Sequence, residues 1–170
     1  MIKITIYITV ILLIVNSGCT NPFAPKFDDS IDQNGSIITD LKTVEGVFQN
    51  FQYAYTFKDT LIYGEFISPD FVFTYRDYDG GFDVSWGRDE EMKTTYGLFN
   101  NSQRLNLIWN NTVISSQDSL TANIVRSFNL TVTFNPTDVV RLDGRVNLLL
   151  TKNVETQKWS ISRWIDESNF

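Results

Sequence analysis

The chain has 170 residues and a formal net charge of −6, from 14 Lys and Arg against 20 Asp and Glu, so it lacks the basic balance that binding nucleic acid requires. Histidine is absent, which removes Ser-His and Cys-His nucleophile pairs, histidine general bases and most zinc sites. A hydrophobic share of 42% can bury a real core, and 13 Phe favour a sheet-rich core or an aromatic-lined cavity.

At the N-terminus, Lys3 precedes an apolar run from Ile4 to Val15. The run is shorter than the roughly 20 residues of a membrane span. Its length and flanks predict a secretory signal peptide over residues 1–18. A buried strand or helix is the alternative, but nothing downstream continues the pattern.

Ser17-Gly18-Cys19 after this aliphatic run resembles a bacterial lipobox, with Asn16 where Leu is usual. The resemblance implies cleavage before Cys19, lipid on Cys19, and a membrane as partner through that lipid. Cys19 is the only cysteine, which suits an anchor better than a disulfide. Thr20, rather than Asp, follows it. By the same resemblance this implies the outer membrane in a cell with two; without lipidation the protein would be secreted. Residues 19–39 are rich in Pro, Asp, Asn, Gly and Ser and read as a linker.

From residue 40 the chain reads as one domain to residue 170. Val44, Val47, Phe48, Phe51 and Tyr55 have the spacing of an amphipathic helix between Asp40 and Lys58. Asp59-Thr60 can cap a second, short helix through Phe66. "DFVFTYRD" predicts a strand, "YDGG" a turn and "FDVSW" a short return strand. The acids Asp77, Asp79 and Asp83 near this turn miss the calcium-loop pattern, because Phe82 and Arg88 stand where Gly and Glu are needed. "DEEMKTTYGLF" predicts a third helix with acids in its first turn, where the helix dipole favours them. Four strand-like runs follow: Arg104–Asn110, Leu120–Phe134, Val139–Lys152 and Trp159–Asp166. Their short connections predict antiparallel neighbours.

This order predicts an α+β cone, a curved antiparallel sheet wrapped around N-terminal helices. It resembles the NTF2-like (SnoaL-like) superfamily over residues 40–170. The resemblance is carried by "SPDFVFTY" after the helix pair, "WGRDEEM" opening the third helix and "KWSISRWID" in the last strand. A steroid-isomerase-like member would place an acidic base near the end of the first strand. Here that place falls on Tyr75, with Asp77 two residues on, and the histidine of the dehydratase members is missing. The resemblance therefore carries the fold and not the catalysis. No cofactor and no metal are expected.

Two arginines stand out. Arg126 falls on the apolar face of its strand, and Arg163 shares phase with Trp159, Ile161 and Ile165. An unpaired buried cation costs several kcal/mol. Each must therefore pair with an acid (Asp77, Asp143 and Asp166 are at hand), turn outward at a bulge, or face a cavity that takes a carboxylate or phosphate. The candidate pocket residues are Tyr75, Asp77, Trp86, Tyr96, Trp109, Arg126 and Arg163. The expected function is non-catalytic binding of a small, anionic ligand or a partner protein by a membrane-anchored domain. The alternatives are an isomerase or lyase using the cone pocket, and a structural module forming homodimers.

Overall fold

A computed structural model describes residues 39–167, all within one folded unit, Ile37–Phe170. The expected signal peptide, Cys19 and nearly all of the expected linker lie outside the described residues. Among the described residues, three helices pack on one six-stranded sheet. They are α1 (Val44–Phe57), α2 (Thr60–Glu65) and α3 (Arg88–Asn101). The strands are β1 (Ile67–Asp77), β2 (Phe82–Gly87), β3 (Arg104–Gln117), β4 (Thr121–Asn135), β5 (Asp138–Lys152) and β6 (Trp159–Asp166).

Helix α1 starts at Val44, the first residue of its apolar period, because Thr43 caps it: Thr43 Oγ1 accepts from Gly46 N at 3.0 Å. A Cβ on Gly46 would sit 2.2 Å from the Asp40 carbonyl oxygen, so only glycine lets the incoming chain fold back here. Buried Asn50 fixes that chain, since its Nδ2 donates to Thr39 O at 2.7 Å and its Oδ1 accepts from Thr39 N at 3.0 Å. The helix buries Val47, Phe48, Phe51, Ala54 and Tyr55. Lys58 closes it in the left-handed conformation, at φ 57°. Asp59 then caps α2 by accepting from Leu61 N and Ile62 N.

The strands run in the order β2-β1-β6-β5-β4-β3, giving the expected α+β cone around a curved sheet. The sheet is mixed rather than wholly antiparallel. Strand β1 pairs parallel with β6, Phe73 opposite Trp164 and Tyr75 opposite Asp166. Strand order alone could not reveal this, because the chain between Asp77 and Trp159 is spent on α3 and four other strands before β6 pairs with β1.

Two irregularities set the directions of side chains. On β3, Asn110 and Asn111 together oppose Ser127, between the pairs Trp109–Phe128 and Thr112–Arg126. Strand β3 then continues to Gln117 with every residue from Asn110 onward exposed, which is why it shows no alternation there. On β6, Leu150 pairs with Ile161 and Leu149 with Arg163, leaving Ser162 as an extra residue. Such a bulge reverses the inside-outside phase of the residues that follow.

Candidate functional site

The cone encloses a cavity of about 340 Å³ between α1, α3 and the sheet. Helix α1 contributes Phe51 and Tyr55, β1 contributes Phe73, and β2 contributes Trp86. Trp109 comes from β3 and Trp164 from β6. These rings touch one another: Phe73 stacks on Trp86 with centroids 4.3 Å apart, and both Phe51 and Phe73 meet Trp164 edge to face. Exposed Thr94 also lines the cavity and marks where it meets solvent.

Two carboxylates share this aromatic space, Glu91 from α3 and Asp166 from β6. Glu91 is 4% exposed. Its Oε1 accepts from the Tyr63 hydroxyl at 2.7 Å and from Thr95 Oγ1 at 3.2 Å; its Oε2 accepts from Trp86 Nε1 at 2.8 Å. Three donors thus hold a carboxylate that α3 carries inward. Of the three indoles on the wall, Trp86 donates to Glu91 and Trp109 donates to the Phe48 carbonyl at 2.9 Å. Trp164 Nε1 is buried without a hydrogen-bond partner among the described residues.

Tyr55 and Tyr63 are the titratable groups most affected by this setting. Burial, then the charges of Glu91 and Asp166, push the Tyr55 hydroxyl well above the ordinary value of 10.0; contacts to Thr95 and Tyr63 act weakly the other way. Burial also raises Tyr63, reinforced by Tyr55 and Glu91. Both stay protonated in the folded state at a pH where an unfolded tyrosine has ionised. The unfolded chain then binds fewer protons, so their contribution is complete below about pH 10 and is lost as pH rises beyond it. The denaturant midpoint should turn downward above about pH 10, and less steeply in Tyr63→Phe. A midpoint that stays level up to about pH 11 would show the two hydroxyls to be more accessible than this packing allows.

Of the residues singled out from the sequence, Trp86 and Trp109 line the cavity and five do not. Tyr75 shares the face of Phe73 but lies nearer the hairpin, packed half-buried beside Trp86 at 5.7 Å. Asp77 closes the β1–β2 turn, its Oδ1 accepting from Gly80 N at 2.9 Å, and Gly81 takes the positive φ the turn requires. Tyr96 is 59% exposed, because the buried stripe of α3 runs through Glu91, Thr95 and Phe99. Arg126 does face inward, but into a second groove. Its Nη1 pairs with Glu45 at 2.9 Å, an acid on α1, and its guanidinium lies over Phe48 at 4.9 Å. Arg163 is exposed, turned out by the Ser162 bulge. The two arginines therefore form no pair of cationic forks at the cavity.

The same bulge brings Trp164 and Asp166 to the cavity, and nothing in an unbroken alternation marks it. Glu91 did carry a signal. It stands in helical phase with Thr95 and Phe99, a charged residue on an inward stripe, where its place in the first turn suggested only a favourable helix dipole. Among the described residues no cluster of three metal-ligating side chains occurs.

This architecture is NTF2-like. The chain is similar to an NTF2-like superfamily protein from Salmonella enterica (13% identity, TM-score 0.61, 76% of this chain and 92% of that one). It is similar to a protein from Streptomyces avermitilis provisionally named a dehydratase of the NTF2-like family (15%, TM-score 0.60, 77% and 97%). A third similar structure, from Novosphingobium aromaticivorans, is provisionally named a scytalone dehydratase (15%, TM-score 0.64, 76% and 84%). At such identities the likeness is one of fold, and a fold does not carry an activity with it. No protein-family model matches the chain, and no curated protein matches it.

Proposed function

We propose that this is a binding module: its aromatic cavity holds a small, largely apolar ligand, and a lipid on Cys19 presents the domain on the outer side of a membrane. The observation that carries the reading is the cavity itself. Its volume falls within the range of small-molecule sites, about 300–1,000 Å³, and apolar walls with a few fixed polar groups are what such sites share. The lipobox-like Ser17-Gly18-Cys19 supports the address. Titration with a two-ring aromatic alcohol, followed by tryptophan fluorescence, should saturate at one site per chain, since Trp86, Trp109 and Trp164 all border the cavity. Absence of saturable quenching by two-ring compounds of any charge sinks the binding claim. In cells, Cys19→Ser should release the protein from the membrane fraction; retention there would remove the anchor from the proposal.

A second reading, an isomerase or lyase working in the same cavity, is favoured by one observation: Glu91 and Asp166 lie in it together. General acid–base work needs a carboxylate within reach of a substrate proton. Three internal donors already hold Glu91, and Asp166 is the second carboxylate on the cavity wall. The dehydratase names of two structural neighbours point the same way. The binding reading is preferred because neither Tyr75 nor Asp77, where the family resemblance would put a base, reaches the cavity wall.

A further inference from the structure

We propose that the outer face of the sheet, turned away from the helices, docks on an anionic lipid surface. This face plays no part in the cavity, and the proposal takes the nearby bilayer from the anchor on Cys19 proposed above. Of the seven arginines in the chain, Arg76, Arg88 and Arg126 have partners: Asp83, the Gly64 and Ile67 carbonyls, and Glu45. The other four, Arg104, Arg141, Arg145 and Arg163, are exposed, and among the described residues none of their side chains has an ion pair or a hydrogen bond. All four fall on one face. Leu105, Leu142 and Val146 point inward, to the core or the cavity, so Arg104, Arg141 and Arg145, each next to one of them in its strand, point outward. Arg163 pairs with Leu149, which faces out between buried Leu148 and Leu150.

Two acids share this face with them, Asp143 by its phase on β5 and Glu167 through its hydrogen bond with Asn147. The face is thus positive in a chain whose net charge is −6. At physiological salt, charges act over about 8 Å, so a partner lying on the face meets the arginines rather than the acids elsewhere on the domain. A second copy would set arginine against arginine. An anionic bilayer fits: it is broad, and it offers phosphates that guanidinium groups grip with two hydrogen bonds. Each arginine near such a surface gains about fivefold in affinity. Exposed Val72, Ile108 and Val139 lie on the same face and suit the headgroup boundary. Residues 20–38 span at most about 65 Å, which leaves any face of the domain within reach of the bilayer, and the arginines select this one. Docked this way, the domain turns its helices away from the membrane. The cavity, which meets solvent at Thr94 on α3, then opens to the surrounding compartment rather than to the bilayer.

The test uses the full chain carrying Cys19→Ser, so that no lipid contributes, and sediments it with vesicles of phosphatidylcholine alone or mixed with phosphatidylglycerol. The apolar run at the N-terminus acts alike on both vesicles, so the readout is the difference between them. Phosphatidylglycerol should raise the affinity about tenfold or more, and high salt should abolish the gain. Arg141→Gln/Arg145→Gln should remove most of the gain, whereas Lys42→Gln/Lys93→Gln, which removes as much charge elsewhere, should change it by less than about twofold. Equal binding to the two vesicles, or equal losses in the two variants, overturns the docking face; both results leave the anchor and the cavity as proposed. Soluble polyglutamate that holds the chain in preference to the vesicles assigns the arginines to an acidic protein and overturns the lipid surface.

Discussion

Replacing Glu91 by alanine is expected to lower the unfolding free energy by about 2–4 kcal/mol. The carboxylate is buried and stands at the centre of donors from three elements: Tyr63 on α2, Trp86 on β2 and Thr95 on α3. Each buried donor left without a partner costs about 1–3 kcal/mol. Not all three remain orphaned. Thr95 can turn its hydroxyl to a backbone carbonyl one helical turn back, and the Tyr63 hydroxyl has Tyr55 beside it. Trp86 Nε1 has no such choice, because its ring is fixed by stacking on Phe73. Against these losses stand the relief of a desolvated charge and a helix propensity for alanine only slightly better than for glutamate. The lost donors win. A double-mutant cycle with Trp86→Phe isolates the main term, since removing both partners leaves no orphan; the two changes should couple by about 1 kcal/mol or more. Measured by urea denaturation, a cost below about 1 kcal/mol for Glu91→Ala would mean that water entering the cavity satisfies these donors, and the network would lose its stabilising role.

That network also marks the limit of what the sequence makes legible. Periodicity recovers the elements that have one wet face and one dry face. The apolar stripe of α1 and the alternation of β4 both hold, with Ala122, Ile124, Phe128 and Val132 buried on a single face. Asp59 caps α2 as its position suggests. Legibility fails where one residue is inserted into a strand. Ser162 shifts the phase of β6, so Arg163 leaves the core and Trp164 and Asp166 enter it. An extra residue of this kind depends on pairing with β5 and β1, distant segments whose register a local pattern does not contain. The upper half of β3 is hidden for another reason: both of its faces are wet, so it has no period. The inward arginine, Arg126, was readable as a problem in need of a partner. Its partner, Glu45, lies 81 residues away on a helix rather than on a neighbouring strand.

The placement of charge in the fold follows a common logic. Each cation that packs against an aromatic ring in the second groove has an acid or solvent to complete its shell: Arg126 lies over Phe48 and reaches Glu45, and Lys152 lies 5.7 Å from the Trp159 ring at the groove's edge. Inside the cone the arrangement is inverted. Rings and two carboxylates, Glu91 and Asp166, line it, and among the described residues no Lys or Arg does.

Phe51→Ala is expected to cost about 4 kcal/mol, the largest loss from any single ring. Phe51 is 2% exposed and sits where the cone's parts meet. Its ring lies 5.0 Å from Tyr55 on α1, 5.5 Å from Tyr63 on α2, 5.4 Å from Phe66, 5.3 Å from Trp109 on β3 and 5.5 Å from Trp164 on β6. Truncating a buried Phe removes about 3–5 kcal/mol through lost transfer energy and the void left behind. Edge-to-face ring contacts add to that loss, at about 0.5–1.5 kcal/mol for a good pair. Here the void cannot close easily, since the neighbours are themselves large rings held from several elements, and it would open into the existing cavity. A domain of this size has about 5–15 kcal/mol of stability in total, so the variant should remain folded with a melting temperature lower by about 15 °C. Phe51→Leu keeps most of the volume and should cost about 1–2 kcal/mol. The pair separates two explanations. If alanine and leucine cost the same, Phe51 acts through the shape or electrostatics of its ring; if both cost less than about 1 kcal/mol, the surrounding rings collapse inward and Phe51 is not the piece that joins the helices to the sheet.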